Sequence, residues 1–225
     1  MQDFTSEMCE KFCSPMGADY TYVGTMTDSR DNKTYEIRKF SDGKCWMVDN
    51  LAYGGTTDAC ASRTTFSGNG SSSPTNRFGT GTYGDCRNNP GYSGYLYNWQ
   101  AAMQHSTAYY NTTYTGPITN AQGLCPAGWV LPTGDVGGDF EVLYTAAGSP
   151  ATGFWQTPGS WKGVFSGRCN LTGGLSNQGT NGFWWSSTPY SMTNAYYIYF
   201  NSSVVNPIKK DYGNYNGFTV RCLKN

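Results

Sequence analysis

The sequence predicts a mixed α+β protein with many irregular loops. Two segments, residues 95–103 and 140–144, carry apolar residues at helical spacing. Short runs of aromatic and β-branched residues between turn residues predict strands over residues 35–40, 45–48, 183–186, 195–200 and 218–223. Asp42-Gly43 lies between the first two of these strands, where an Asp-Gly pair is typical of a β-hairpin. Glycine, serine, threonine and asparagine dominate residues 53–94, which we expect to form a long loop.

The chain is expected to form one domain over residues 1–225. It contains no repeat and no linker that would divide it, and 225 residues are enough to bury a sizeable core. The formal net charge is zero, and Lys209-Lys210 is the only basic pair after residue 45. A protein that binds nucleic acid needs clustered lysine and arginine, so we expect no nucleic-acid partner. The longest apolar runs are a few residues, so we expect no membrane span.

The cysteine content predicts disulfide bonds. Eight cysteines are an even number, they form no CxxC pair, and His105 is the only histidine, so a zinc site is a poor interpretation. Disulfides form in oxidising compartments outside the cytosol. Eight cysteines allow 105 pairings, which leaves the connectivity open. The candidates are Cys9, Cys13, Cys45, Cys60, Cys86, Cys125, Cys169 and Cys222.

Residues 182–225, the C-terminal segment, are predicted to carry a binding surface on a scaffold built by the rest of the chain. Tyrosine, asparagine, serine and threonine are dense between an apolar start and an alternating end. Tyrosine offers a large contact area with few rotatable bonds, and serine and asparagine offer adaptable hydrogen bonds. Trp184 and Trp185 are predicted to point to opposite faces of a strand, one in the core and one lining or supporting the binding face. Alternation over residues 195–200 predicts that Tyr197 and Tyr199 point outward, and a shift of one residue in pairing would exchange the faces.

Four blocks of the sequence, in order, resemble the Fibrobacter succinogenes major paralogous domain family. They read DNKTYEIRKFSDGKCWMVDNL, YLYNWQAAM, GLCPAGWVLPT and FWWSST…AYYIYF…NPI…GFTVRCLKN. Residues 129–133, followed by a predicted helix, also resemble a segment of formylglycine-generating-enzyme-like domains. The resemblance implies a C-type-lectin-like α+β fold, with two helices, small antiparallel sheets, abundant irregular loops and disulfide staples. It covers residues 25–225, so residues 1–24 are expected to form an N-terminal extension.

The resemblance also implies a function. In C-type-lectin-like folds the C-terminal segment supplies the ligand-facing surface, and similar domains are variable proteins of diversity-generating retroelements. Adenine-directed mutagenesis of asparagine codons there enriches asparagine, tyrosine, serine, aspartate and threonine, which is the composition of residues 190–216. We therefore expect a secreted domain, or one on a cell or virion surface, that binds a protein or glycan on another cell or virus. The candidate ligand-binding, and candidate variable, residues are Trp185, Tyr190, Ser191, Thr193, Asn194, Tyr197, Tyr199, Asn201, Ser203, Asn206, Asp211, Tyr212, Asn214 and Tyr215.

Two alternative functions are compatible with parts of the sequence. Formylglycine-generating enzymes use a reactive cysteine pair near the C-terminus, where this chain has Cys169 and Cys222. A disulfide from Cys222 to Cys125 is the expected state, and no catalytic serine–histidine–aspartate set is identifiable around His105, so we expect no enzyme. The other alternative is a structural adhesin or pilus module.

No cofactor is expected, with one candidate for a structural ion. The chain has no acidic residue between Glu141 and Asp211, which argues against a calcium-bridged sugar site in the C-terminal segment. Asp28 and Asp31 lie with Asn32 in a predicted turn, and clustered carboxylate and amide oxygens suit calcium. This turn is therefore a candidate site for a structural calcium.

Overall fold

Three antiparallel sheets and three short helices make up the described part of a computed structural model. The model describes residues 23–53, 91–103, 121–150, 152–170, 174–191 and 193–224. The first sheet has the order β1-β2-β3-β9, with strands Val23–Thr27, Thr34–Lys39, Cys45–Met47 and Leu223–Lys224. The predicted hairpin is confirmed: Lys39 pairs with Cys45, and Gly43 has a φ of 79°, which glycine adopts without strain. The expected α+β class is therefore correct.

The second sheet is built by the C-terminal segment. Its order is β6-β7-β8, with strands Asn181–Pro189, Ala195–Asn201 and Val205–Lys209. The sequence does not predict β8, because Pro207 lies inside it and proline is tolerated only at the edge of a sheet or at a strand end. A separate two-stranded sheet joins β4, Arg168–Cys169, to β5, Leu175–Ser176.

Both predicted helices are present but short. Helix α1 spans Trp99–Ala102. Its N-cap residue is Asn98, whose side chain accepts from the N–H of Ala101 at 2.8 Å. Residues 95–97 lie outside it because the chain there pairs with residue 218. Helix α2 spans Asp139–Ala146, and the Asp139 carboxylate accepts from the backbone N–H of Thr133 at 2.7 Å. A third helix, α3, spans Thr152–Trp155 and is not among the helices predicted from the sequence.

Two apolar cores lie on opposite sides of strand β7. The first core joins β1–β3 and α1 to one face of β6 and β7, and includes Tyr97, Phe183, Trp185, Tyr197 and Phe218. The second core joins α2 and α3 to the other face, and includes Phe140, Trp155, Trp161, Trp184, Ile198 and Phe200. Trp46, Trp99 and Trp129 are buried as well. Because β7 is the central strand and both its faces are covered, alternation along it does not separate core from solvent.

Residues 218–223 connect the two halves of the molecule, and we call them the hub segment. The sequence predicts one alternating strand here, but only Leu223 belongs to a strand, and every residue from 218 to 223 is buried. The backbone of the hub segment hydrogen-bonds in turn to Tyr97, Phe183, Trp185, Leu51, Met47 and Val130. The expected disulfide from Cys125 to Cys222 is confirmed, with Cα atoms 5.8 Å apart.

Arg221 lies at the centre of the hub segment, 1% exposed. Its Nε donates to Oδ1 of Asn50 at 2.9 Å, Nη1 donates to the carbonyl of Trp161, and Nη2 donates to the carbonyl of Lys162 at 3.1 Å. The guanidinium lies 4.9 Å from the Trp161 ring and 5.3 Å from the Trp184 ring. Burial lowers the pKa of Arg221 to about 9. The buried cation is therefore satisfied by carbonyl oxygens and aromatic rings, which is what its burial requires.

Several sequence-based expectations lie outside the described residues. They concern Cys9, Cys13, Cys60, Cys86 and His105, nearly all of the proposed extension over residues 1–24, and most of the predicted loop over residues 53–94. Cys45 and Cys169 are described, and both are disulfide-bonded. Among the described residues, no helix has the length and apolar content needed to cross a membrane.

Candidate functional site

The structure removes Trp185 from the predicted binding surface. Trp184 and Trp185 point to opposite faces of β6, as predicted, but both are completely buried. The Trp185 ring lies 4.1 Å from the Phe218 ring, and its Nε1 donates to the carbonyl of Tyr97 at 2.8 Å. The hub segment covers the face of β6 that the sequence alone leaves open, so Trp185 is a core residue.

Tyr197 is also wrongly predicted to point outward, since it is 1% exposed. Its ring packs against Phe218 at 5.0 Å and Tyr212 at 5.9 Å, and its hydroxyl donates to the Asp211 carboxylate. Burial, strengthened by the Asp211 charge, raises the pKa of Tyr197 well above its usual value. Burial alone would raise the pKa of Asp211, but the Tyr197 hydroxyl and the Lys209 ammonium outweigh it and lower that pKa. Tyr197 therefore anchors the turn that follows β8 and does not face a ligand.

Asn214 is the third predicted ligand residue that proves to be buried, at 3% exposure. Its backbone N–H donates to the carbonyl of Thr193 at 2.7 Å, and its own carbonyl accepts from the N–H of Trp99 at 2.9 Å. Asn214 thus ties the C-terminal segment to the start of helix α1. Composition does not distinguish an asparagine that hydrogen-bonds the backbone from one at the surface, so the burial of Asn214 is not predictable from the sequence.

The other predicted residues are exposed or partly exposed, and we call this set of positions the C-terminal face. They are Tyr190, Ser191, Thr193, Asn194, Tyr199, Asn201, Ser203, Asn206, Asp211, Tyr212 and Tyr215. Three partly or fully exposed residues that the sequence-based set omits also belong to it, namely Tyr196, Lys210 and Arg168. Arg168 lies in β4, outside the C-terminal segment, and its one sequence signal is its place in the acid-free stretch between Glu141 and Asp211.

The backbone beneath the C-terminal face is held by hydrogen bonds. In the turn after β6, the N–H of Tyr190 donates to the carbonyl of Asn194 at 2.9 Å. The Asn194 side chain then donates to the carbonyl of Lys210 at 3.2 Å, which joins this turn to the one after β8. In the turn between β7 and β8, the Asn201 side chain accepts from the N–H groups of Ser203 and Val204. The exposed side chains are therefore mounted on fixed turns.

Two cations on the C-terminal face lie over tyrosine rings. The guanidinium carbon of Arg168 lies 4.2 Å from the centre of the Tyr212 ring, and Nζ of Lys210 lies 4.4 Å from that of Tyr190. Tyr190 in turn packs edge-on against Tyr196, with ring centres 5.5 Å apart. A cation over an exposed aromatic face is stabilised by about 0.5–1 kcal/mol, so each pair favours one position of its tyrosine.

The loop that precedes helix α2 borders the C-terminal face. Gly134 passes so close to β6 and β7 that a Cβ there would lie 2.5 Å from the Ser186 side chain and 3.0 Å from Cβ of Tyr196. The loop is fixed further by the Thr188 hydroxyl, which accepts from the Gly134 N–H at 3.1 Å. Two residues later, Val136 is 77% exposed. This apolar contribution to the surface is not predicted from the sequence.

The turn with Asp28 and Asp31, the candidate calcium site, is organised by ion pairs. The fully buried Asp28 carboxylate accepts from Nε and Nη2 of Arg30 at 2.9 and 2.7 Å. Asp31 pairs with Lys33 at 3.1 Å. The Arg30 guanidinium therefore contacts both oxygens of the Asp28 carboxylate. Within the described ranges, no group of three or more histidine, cysteine, aspartate or glutamate side chains could hold a metal ion.

Comparison with known proteins gives no match: no family model, no curated protein and no solved structure resembles this chain closely enough to be matched.

Proposed function

We propose that this protein is a ligand-binding domain of the C-type-lectin-like fold, related to the Fibrobacter succinogenes major paralogous domain family, and that it binds through the C-terminal face. The observation that carries the proposal is the combination of exposed tyrosines with a hydrogen-bonded backbone. Tyr190 and Tyr215 are exposed, Tyr196, Tyr199 and Tyr212 are partly exposed, and the turns beneath them are fixed. A preorganised surface loses little conformational entropy on binding, so aromatic contacts convert efficiently into affinity.

The ligand is proposed to be a protein or glycan outside the cell, and the domain to be secreted or displayed on a cell or virion surface. The disulfide between Cys125 and Cys222 and the disulfide-bonded states of Cys45 and Cys169 support an oxidising location. They also leave neither Cys169 nor Cys222 as the thiolate that a formylglycine-generating type of catalysis needs.

We further propose that a diversity-generating retroelement varies the C-terminal face. Support comes from the separation of the C-terminal segment into two kinds of position. Buried tryptophan, phenylalanine and backbone-bonding asparagine residues hold the segment, and the tyrosine, serine, threonine and asparagine side chains between them reach solvent. Substitutions at the solvent-exposed positions alter the surface without removing core contacts.

Binding on arrays of extracellular proteins and glycans tests the function. The wild type is compared with a face variant, Tyr190→Ser/Tyr199→Ser/Tyr215→Ser, and with a control variant, Thr25→Ala/Thr27→Ala, whose exposed positions lie on β1. We expect the wild type and the control to bind the same ligands and the face variant to lose them. Ligands that survive in the face variant, or a wild type that binds nothing, would contradict the proposal.

Diversification has its own test in the DNA beside the gene. A near-copy of the codons for residues 183–217 that differs only at adenines, next to a reverse transcriptase, is the expected finding. Absence of that copy would remove diversification and leave the binding proposal standing.

A further inference from the structure

The arginines of the described residues differ in how their charge is neutralised. Arg30 and Arg38 each pair with a carboxylate, at 2.7 and 2.8 Å. Arg221 is fully buried among carbonyl oxygens. Arg168 is partly exposed, and no carboxylate of the described residues lies within ion-pair distance of it. Among the described arginines, Arg168 is therefore the one that reaches the surface without a carboxylate partner.

The contacts of Arg168 position its guanidinium but leave some of its hydrogen-bond donors without acceptors. Nη1 donates to Oδ1 of Asn216 at 2.6 Å, and the plane lies over Tyr212. Nε is buried and has no hydrogen-bond partner, and the hydroxyl of Ser176, the residue paired with Arg168 across β4 and β5, is also buried without a partner. Supporting Asn216 accounts for one donor of the five that a guanidinium carries. Because Nε is enclosed, the donors available to an anion are those on the two Nη nitrogens that make no hydrogen bond.

Lys210 repeats this arrangement over a different tyrosine. Its ammonium lies over Tyr190 and 5.9 Å from the Tyr196 ring, it is exposed, and no described carboxylate pairs with it. The neighbouring Lys209 does pair, with Asp211 at 3.4 Å. The nearby Asp211 carboxylate therefore forms an ion pair with Lys209, and Lys210 has no such partner among the described carboxylates.

From these two tyrosine-mounted cations we infer that the C-terminal face binds an acidic protein surface, with aspartate or glutamate carboxylates pairing with Arg168 and Lys210. The inference rests on the proposed binding function and adds the chemistry of the partner. A guanidinium with free donors binds a carboxylate through paired hydrogen bonds. Tyrosine and arginine are the residues that dominate protein–protein binding energies, and the exposed Val136 adds the apolar contact that a protein partner uses. Complementary charge then selects the partner and speeds association.

The probe is a blocked tetraglutamate peptide, titrated into the ¹⁵N-labelled protein and followed by NMR. The buried, unpartnered Nε–H of Arg168 gives a side-chain signal that reports directly on its environment. We expect saturable shifts of that signal and of the backbone amides of Lys210 and Tyr190. A blocked tetraglutamine peptide should cause none. The dissociation constant should rise about threefold to tenfold between 20 and 200 mM sodium chloride, because exposed ion pairs are screened by salt.

Matched charge variants locate the contact. Lys210→Gln changes an exposed side chain and should weaken tetraglutamate binding about threefold or more, a loss of the size that one exposed ion pair supplies. Arg168→Gln should weaken it by a larger factor, and Arg168→Lys should recover part of the loss because charge returns without the planar fork. Lys39→Gln, on the first sheet, is the control and should leave binding unchanged.

Three results would overturn the inference. Equal shifts with tetraglutamine would show contacts that do not depend on charge. An unmoved Arg168 signal at saturating peptide would remove Arg168 from the site. An oligouronate that shifts these signals when tetraglutamate does not would replace a protein partner with an acidic glycan. Each result leaves the array comparison untouched, so the failure of this inference and the failure of the binding function can be told apart.

Discussion

Arg221 and Arg168 show how differently the hub segment and the C-terminal face use the same residue type. Arg221 is enclosed by carbonyl oxygens and two tryptophan rings, whereas Arg168 lies over one tyrosine ring with its charge unpaired. Tyr197 and Tyr199 differ in the same way within one strand, since the first is buried and the second is partly exposed. The difference is set by which elements cover each position and not by residue type. One segment of chain can thus hold a fold and present a surface.

The largest effect that tests this contrast is expected at Trp185. Trp185→Ala removes a buried indole that packs on Phe218 and donates to the carbonyl of Tyr97. We expect the free energy of unfolding to fall by about 3–5 kcal/mol, the range for large-to-small changes in a core. Urea denaturation measures it. A loss below 1 kcal/mol would mean that Trp185 belongs to the surface after all.

Tyr197→Phe is expected to have an intermediate effect. It deletes the hydroxyl that donates to Asp211 and keeps the ring in the core. Because the Asp211 side chain is 62% exposed, water replaces part of the lost bond, and we expect a loss of about 1 kcal/mol. Tyr199→Phe is the matched change on the C-terminal face. It removes a hydroxyl that accepts from Asn201 at 2.8 Å, and it should lower the free energy of unfolding by less than Tyr197→Phe does. The reverse order would contradict the assignment of the two tyrosines.

The paired charges beside the hub segment predict that stability depends on pH. Burial raises the pKa of Glu36, but hydrogen bonds from Lys162 and Arg38 outweigh it, so the net pKa is below the usual value. The stabilisation is present above the unfolded-state pKa of about 4.3 and is lost as pH falls through the lower folded-state pKa. Relative to wild type, Glu36→Gln should therefore lose less stability between pH 5 and 3. Denaturation series at several pH values check this, and parallel curves for the two proteins would refute it.

The smallest effect is expected at Tyr190. Its side chain is 49% exposed and lies against Lys210 and Tyr196. Tyr190→Ala should lower the free energy of unfolding by at most about 1 kcal/mol, the size of an exposed cation–aromatic contact. The same variant should weaken ligand binding on the arrays. A stable variant with unchanged binding would remove Tyr190 from the face.

The sequence predicts the elements of this fold better than their environment. The hairpin at Gly43, both helices and strands β6 and β7 follow from local periodicity and turn residues, so they are predictable. The exposure of a side chain is not predictable in this way, because it depends on which distant elements cover it. The hub segment buries Trp185 and Tyr197, and β4 brings Arg168 beside Tyr212. Strand β8 escapes prediction because its proline and asparagine are typical of turns.

The central claim is that the C-terminal segment combines fixed buried positions with exposed positions that are free to vary. Saturation mutagenesis of residues 183–218, with stability measured by proteolysis of each variant, tests it most directly. We predict that most substitutions at Tyr190, Ser203 and Tyr215 stay within about 1 kcal/mol of wild type, and that most at Trp185 and Tyr197 cost more than about 2 kcal/mol. Equal sensitivity at the two sets of positions would contradict the claim.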